Sequence, residues 1–287
     1  MSNVSSHRRS IVSSAMRLLA GGALCFCCAL LLRAGGPPSV EGHFRLPLRT
    51  DVQAFKAQRT WQKAEFERDF AKKETAIVIC DMWDHHWCSD AGQRVIGIAH
   101  RMEPVLSTAR SAGILIIHAP SETMDHYKDY PQRRAILEIP HATPPASLGL
   151  LAPPLPIDDS DGGCQTPGEK EHQAWTCENS ILTIAPNDVI SDNGAEIYSL
   201  LQYKGIKNLL IMGVHANMCI LNRTFAIKQM TNWGVTCVLV RDLTDSMYNP
   251  KLRPYVSHAA GTDLVIDYIE RNWCPSTLSA DLVKALK

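Results

Sequence analysis

Four short apolar runs, Thr75–Asp81, Ile114–His118, Asn208–Met212 and Val235–Val240, constrain the fold of this chain more than any other feature. Their hydrophobicity is nearly continuous rather than alternating, which means that both faces of each strand are covered, as in a central parallel strand. Between the runs the spacing changes. Over Gln93–Ala112 the apolar residues Val95, Ile98, Ala99, Met102, Val105, Leu106 and Ala109 recur at intervals of three and four, and Gly113 stands where a helix C-cap belongs. Further helices are predicted over Gly194–Tyr203, over Met218 to about Trp233 and over Thr262–Asn272, with a short strand at Glu178–Ile184. This alternation predicts an α/β fold, a three-layer α/β/α sandwich around a mostly parallel sheet.

The two ends read differently. His7-Arg8-Arg9 precedes the uncharged run Leu18–Leu32, then Arg33 and a Gly-Gly-Pro-Pro break. That run is short for a membrane span and suits the apolar core of an export signal. Residues 1–36 are therefore expected to be a signal peptide or an uncleaved N-terminal membrane anchor, making the protein exported, periplasmic or extracellular. Residues 37–73 read as a polar surface arm with a helix over Gln53–Ala71, and residues 276–287 as a C-terminal tail. Residues 119–180, rich in Pro, Gly and acids, are too long for a simple crossover and read as an insertion able to lie over a site.

Charge excludes some partners. The 29 Lys and Arg balance the 29 Asp and Glu, but four arginines and no acid lie in residues 1–36, so the remainder is acidic by four charges. Such a surface has no electrostatic reason to bind nucleic acid, and a small-molecule substrate is the expected partner. Of the ten cysteines, Cys25, Cys27 and Cys28 lie in the leader. The remaining seven include no Cys-x-x-Cys pair, and Cys164 with Cys177, bracketing a Gly/Pro-rich loop, is the expected disulfide.

In parallel α/β sheets the site lies beyond the carboxyl ends of the strands. Those ends carry Asp81, His118, Val214-His215 through Cys219, and Arg241-Asp242. Cys219 follows a tight Gly-Val-His turn at a predicted helix start, where the macrodipole and unpaired N–H groups favour a thiolate. The competing reading of Cys219 is a buried apolar packer. Asp81 can take the thiol proton and return it to a leaving group, or merely cap a loop. Asp84, His85 and His86, with His118 and His126, could bind a divalent metal, with Asp84 and His86 the foremost candidates, or wall a pocket against Trp83 or Trp87. Asp242 and Asp245 read as support for Arg241 and neighbouring helix starts.

The Asp-ending strand Ala76–Asp81 and the turn Met212-Gly-Val-His-Ala-Asn-Met-Cys-Ile-Leu221 resemble the isochorismatase-like cysteine hydrolases, over roughly residues 74–275. The resemblance implies the isochorismatase-like hydrolase fold, a homo-oligomer, no required cofactor, and catalysis by an Asp, a Lys and a Cys. By position Asp81 matches the general base and Cys219 the nucleophile. It further implies a cis peptide at Val214–His215 and an oxyanion hole from the amides of His215 and Cys219. Trp83, His118, His215 and Asn217 would shape the substrate pocket. The lysine does not carry over, since none occurs between Lys170 and Lys204. Lys170 or an imidazole of His85, His86 or His215 is the expected substitute. The metal motif of nicotinamidases is also unmatched at His118–His126. The leading expectation is hydrolysis of a small amide or related C–N bond through a thioester. The alternatives are a non-catalytic small-molecule-binding protein and a vinyl-ether hydrolase in which Asp81 is the acid.

Overall fold

The structure, a computed structural model, describes residues 41–55 and 60–287. The expected signal or anchor lies outside the described residues. In chain order the elements are β1 (His43–Val52), β2 (Gln62–Ala71), β3 (Thr75–Cys80), α1 (Ser89–Ser111), β4 (Leu115–Ala119), α2 (Met124–Tyr127) and α3 (Pro131–Leu137). There follow β5 (Val189–Ile190), α4 (Gly194–Lys204), β6 (Asn208–Val214), α5 (Cys219–Asn222), α6 (Ile227–Asn232), β7 (Thr236–Asp245), α7 (His258–Asn272), β8 (Ser276–Thr277) and α8 (Ser279–Leu286). No described helix is long and apolar enough to cross a membrane.

One eight-stranded sheet has the order β2-β1-β8-β7-β6-β3-β4-β5. Strands β3 to β8 pair in parallel, and β1 joins β8 and β2 in antiparallel fashion. Along β3 every residue is buried, and successive side chains serve opposite faces. Ala76, Val78 and Cys80 pack under α4 to α7, whereas Ile77 and Ile79 pack under α1 and α8. This is the three-layer α/β/α sandwich expected from the strand and helix pattern. The apolar positions read from residues 93–112 are the buried face of α1, and Gly113 takes the left-handed φ of +81° at its end.

Four expectations are corrected. The helix expected over Gln53–Ala71 is not formed where the chain is described, because Gln62–Ala71 is strand β2. Phe44, Leu46 and Leu48 are buried at period two in β1, and the charged β2 pairs with it as an edge strand, where mostly exposed charged side chains are tolerated. Residues 276–287 are not a tail, because β8 completes the sheet and Leu282 and Leu286 of α8 are buried in the core. Glu178–Ile184 forms no strand beyond a single bridge between Glu178 and Trp83. Its amides go to turn and side-chain partners, such as Leu182 N to Asn179 O, and β5 lies further on. The helix expected over 218–233 is broken into α5 and α6, because Arg223 leaves helical geometry at φ −60° and ψ 151°.

The disulfide is also corrected: Cys88 pairs with Cys164, at a Cα separation of 5.8 Å, and Cys177 is free. The bond ties the segment after α3 to the start of α1. Gly163 seals the same junction at φ +72°, since a Cβ there would lie 2.3 Å from the Met247 carbonyl.

Candidate functional site

The carboxyl ends of β3 and β6 converge because the two strands are paired neighbours, with Cys80 opposite Gly213. Gly213 has φ +116°, and a Cβ on it would stand 2.0 Å from the Cys80 carbonyl oxygen, so only glycine permits this approach. Beyond it the Val214–His215 peptide is cis, as the resemblance implied. The chain then turns through Ala216, whose N–H donates to Asp245 O at 2.7 Å, and reaches Cys219. Asp81 leaves β3 with a left-handed φ of +49°, a conformation that aspartate tolerates better than most residues.

The Asp81 carboxylate is fully buried and has three protein partners. Ser121 N–H donates to Oδ1 at 2.8 Å, Arg223 Nε–H donates to Oδ2 at 3.0 Å, and the Cys219 thiol lies against the same group. Arg223 Nη1 also donates to Glu122 Oε1 at 3.1 Å. Burial raises the Asp81 pKa, and the Arg223 cation, Cys219 and Ser121 offset part of that rise. Burial and the Asp81 charge push the Cys219 thiol above its ordinary range. Burial works against the Arg223 charge, but Asp81, Cys219 and Glu122 outweigh it and hold the guanidinium protonated. The resting state is therefore a thiol beside a carboxylate and guanidinium pair.

Arg223 is the residue that sequence reasoning missed. No lysine lies between Lys170 and Lys204, and the sequence points to Lys170, His85, His86 or His215 as the substitute for the lysine that the resemblance implies. In the structure Lys170 is exposed, while the break between α5 and α6 brings Arg223 onto Asp81. The signal was an arginine four residues after the cysteine, the spacing that puts two side chains on one side of a single helical turn. The expected lowering of the thiol pKa by a helix dipole also fails. Helix α5 is one turn of four residues, too short for a macrodipole to outweigh burial and a neighbouring carboxylate.

Cys219 and Arg223 sit where two depressions meet. One, of about 170 Å³, is walled by Trp83, Trp87, Trp175, His86 and His215, with Glu122 and Glu171 also lining it. The other, about 430 Å³, runs past Leu155, Asp159 and Asn222. A cleft of about 540 Å³ lies at the opposite ends of the strands, by Thr75 and Leu115, and touches neither Asp81 nor Cys219. Within the first depression Trp83 stacks on Trp175 with centroids 4.0 Å apart, and His86 lies 5.5 Å from Trp87 and 5.0 Å from His215. Burial lowers the pKa of His86 to about 4, and burial together with His86 lowers His215 to about 3, so both imidazoles are neutral near pH 7. His215 Nε2 is buried without a hydrogen-bond partner among the described residues. The His215 main-chain N–H faces the Cys219 sulfur.

Other expected site residues are placed elsewhere or differently. His118 is not a pocket residue. It is fully buried between Glu178 Oε2 at 2.6 Å and Asp188 Oδ2 at 3.1 Å, and these carboxylates overcome the effect of burial and raise its pKa to about 9. Asn217 lines the outer groove, but its amide is spent on the protein, donating to Asp159 and Met247 O and accepting from Met247 N. Asp84 and His86 belong to no cluster of three or more metal-ligating groups among the described residues. Asp84 accepts from Thr176, Cys177 and His85, His86 faces the aromatic pocket, His118 is in its own ion pair and His126 packs on Tyr127. Among the described residues the only clustered donor set is Cys88, Cys164 and Glu169, and its two thiols are consumed by the disulfide. Asp245 accepts from His258 and Arg94, and Asp242 caps α8 through Ser279, the support roles expected of them.

No family model and no curated protein matches the chain. Among solved structures it is similar to a cysteine hydrolase from Pseudomonas syringae pv. phaseolicola 1448A, at 15% identity and a TM-score of 0.47, over 76% of this chain and 94% of that one. It is also similar to an isochorismatase family protein from Burkholderia thailandensis, at 14% and 0.43, over 75% and 96% of the two chains. A putative isochorismatase from Burkholderia xenovorans LB400 matches at 11% and 0.45, over 74% and 87%.

Proposed function

We propose that this protein is a cysteine hydrolase of a small amide or related C–N bond, with Cys219 as nucleophile, Asp81 as general base and acid, and Arg223 in place of a catalytic lysine. The observation that carries this reading is the Asp81 carboxylate, held by Arg223 at 3.0 Å and Ser121 at 2.8 Å with the Cys219 thiol against it at the mouth of a pocket. A buried carboxylate with a raised pKa is suited to take a proton and give it back. Arg223 stabilises the anion on whichever partner lacks the proton.

In the first half-reaction the Cys219 proton passes to Asp81 as the sulfur attacks the amide carbon. The negative charge moves to the carbonyl oxygen, where the main-chain N–H groups of His215 and Cys219 are the available donors. Asp81 returns the proton to the departing nitrogen, the C–N bond breaks, and an amine leaves from a thioester. Water then attacks that thioester while Asp81 takes its proton, and Cys219 leaves as the thiol with release of the carboxylic acid. One water is consumed and Asp81 ends as it began. No metal or cofactor is needed by this scheme.

The test is amine or ammonia release from a panel of small amides, with the acyl-enzyme sought by intact mass after acid quench. Activity lost in both Cys219→Ala and Asp81→Asn, with an acyl adduct on Cys219, supports the proposal. Activity that survives Cys219→Ser but not Asp81→Asn would replace it by acid catalysis of the vinyl-ether type. Saturable binding without product would replace it by a binding protein.

A further inference from the structure

We infer that the molecule bound beside Cys219 carries a permanent or protonated cationic group, an alkylated ammonium held by the aromatic pocket while its amide reaches the sulfur. This deepens the proposed function and rests on the pocket serving that site. Three indoles, of which Trp83 and Trp175 stack on each other, and two imidazoles line a space of about 170 Å³, below the roughly 300 Å³ at which pockets for drug-sized ligands begin. Its occupant is therefore small. Indole faces attract cations through their quadrupole, most strongly where water is excluded. The imidazoles add aromatic surface without positive charge, because burial holds His86 and His215 neutral.

The charges around the pocket point the same way. Among the described residues Arg223 is its one cationic lining residue, and it is already paired with Asp81 and Glu122. Glu171 lines the same pocket from its exposed rim and joins none of the ion pairs among the described residues. An anionic ligand would meet an excess of carboxylate there, and a neutral one would gain nothing from it. A cation gains from both the indoles and Glu171. The division at Cys219 fits, with the cationic end in the aromatic depression and the rest of the molecule toward the groove by Leu155 and Asn222.

The experiment compares trimethylammonioacetamide with 3,3-dimethylbutanamide, its uncharged carbon isostere, by calorimetric titration into full-length Cys219→Ala protein at pH 7. That variant binds without turnover, so the result does not depend on whether Cys219 is a nucleophile. The expected result is at least tenfold tighter binding of the ammonium compound, or about 1.4 kcal/mol. Trp175→Leu and Glu171→Gln should each reduce that ratio at least threefold. Should Trp175→Leu fail to fold, Trp175→Phe is measured in its place, with a smaller loss of preference expected. Equal binding of the two amides, tighter binding of the isostere, binding of neither, or a ratio unmoved by both variants would overturn the inference.

Discussion

The decisive perturbation is Arg223→Gln, which keeps a hydrogen-bond donor near Asp81 but removes the charge. Two unit charges about 4 Å apart interact by about 4 kcal/mol at an effective dielectric of 20. Arg223 is 28% exposed while Asp81 is fully buried, so solvent screening brings the interaction down to about 2 kcal/mol. Burial already raises both Asp81 and Cys219, and Arg223 is the charge that opposes the rise at each. Its loss removes the charge that stabilises the single anion shared by Asp81 and Cys219, so less of the pair is in the singly protonated form from which the sulfur reacts. About 2 kcal/mol corresponds to a factor of roughly 30. The assay is the rate of Cys219 alkylation by iodoacetamide, an uncharged reagent, read by peptide mass at pH 7.5. Arg223→Gln should react about 30-fold more slowly than the parent, and Arg223→Lys should recover to within about threefold. If folded Arg223→Gln protein alkylates at the parental rate, Arg223 is only the end of α5 and the electrostatic argument is refuted.

Further outcomes follow from other parts of the fold. Gly213→Ala should destabilise by about 3 kcal/mol in denaturant titration, because the strained φ and the Cys80 carbonyl leave no room for a methyl group; a loss under 1 kcal/mol would contradict the geometry. His118 holds its proton more tightly folded than unfolded, with a pKa of about 9 against an ordinary value of about 6.5. Its contribution, about 3 kcal/mol, is thus fully present below pH 6.5 and lost as pH rises through about 9. Unfolding titrations at pH 6, 8 and 9.5 should show that decline, flattened in His118→Gln, and a level profile in the parent would rule it out. Cys164→Ser, opening a covalent loop with a sequence separation of 76 residues, should cost about 3 kcal/mol and speed hydrogen exchange over residues 158–177. Unchanged stability and exchange would show that other contacts hold that segment.

The legible parts of the protein were those governed by local pattern. Every residue of β3 is buried, and its continuous apolar run had already implied two covered faces. The buried stripe of α1 was readable because 3.6-residue periodicity is a property of the helix itself. The N-terminal hairpin was misread because its edge strand is dense in charge, and charge at an edge resembles charge on a helix. Cys88 and Cys164 could not be matched from sequence, since pairing depends on the distance between two segments that only the folded chain brings together.

The candidate site divides along the same line. Asp81 and Cys219 were identifiable because each stands at the carboxyl end of a recognisable strand, and strand direction alone places such residues on one edge of a parallel sheet. His118 stands at a strand end too, yet its side chain faces Glu178 and Asp188 rather than the pocket. Arg223 and Trp175 became site residues only through a helix break and a long irregular segment, neither of which has a periodicity to read. By itself the sequence determined the layered sheet and the strand ends that carry the thiol and the carboxylate, because these depend on repeating hydrophobic patterns. Tertiary structure alone decided which cation meets Asp81, which cysteines join and which rings wall the pocket, because those choices depend on packing between segments far apart in the chain.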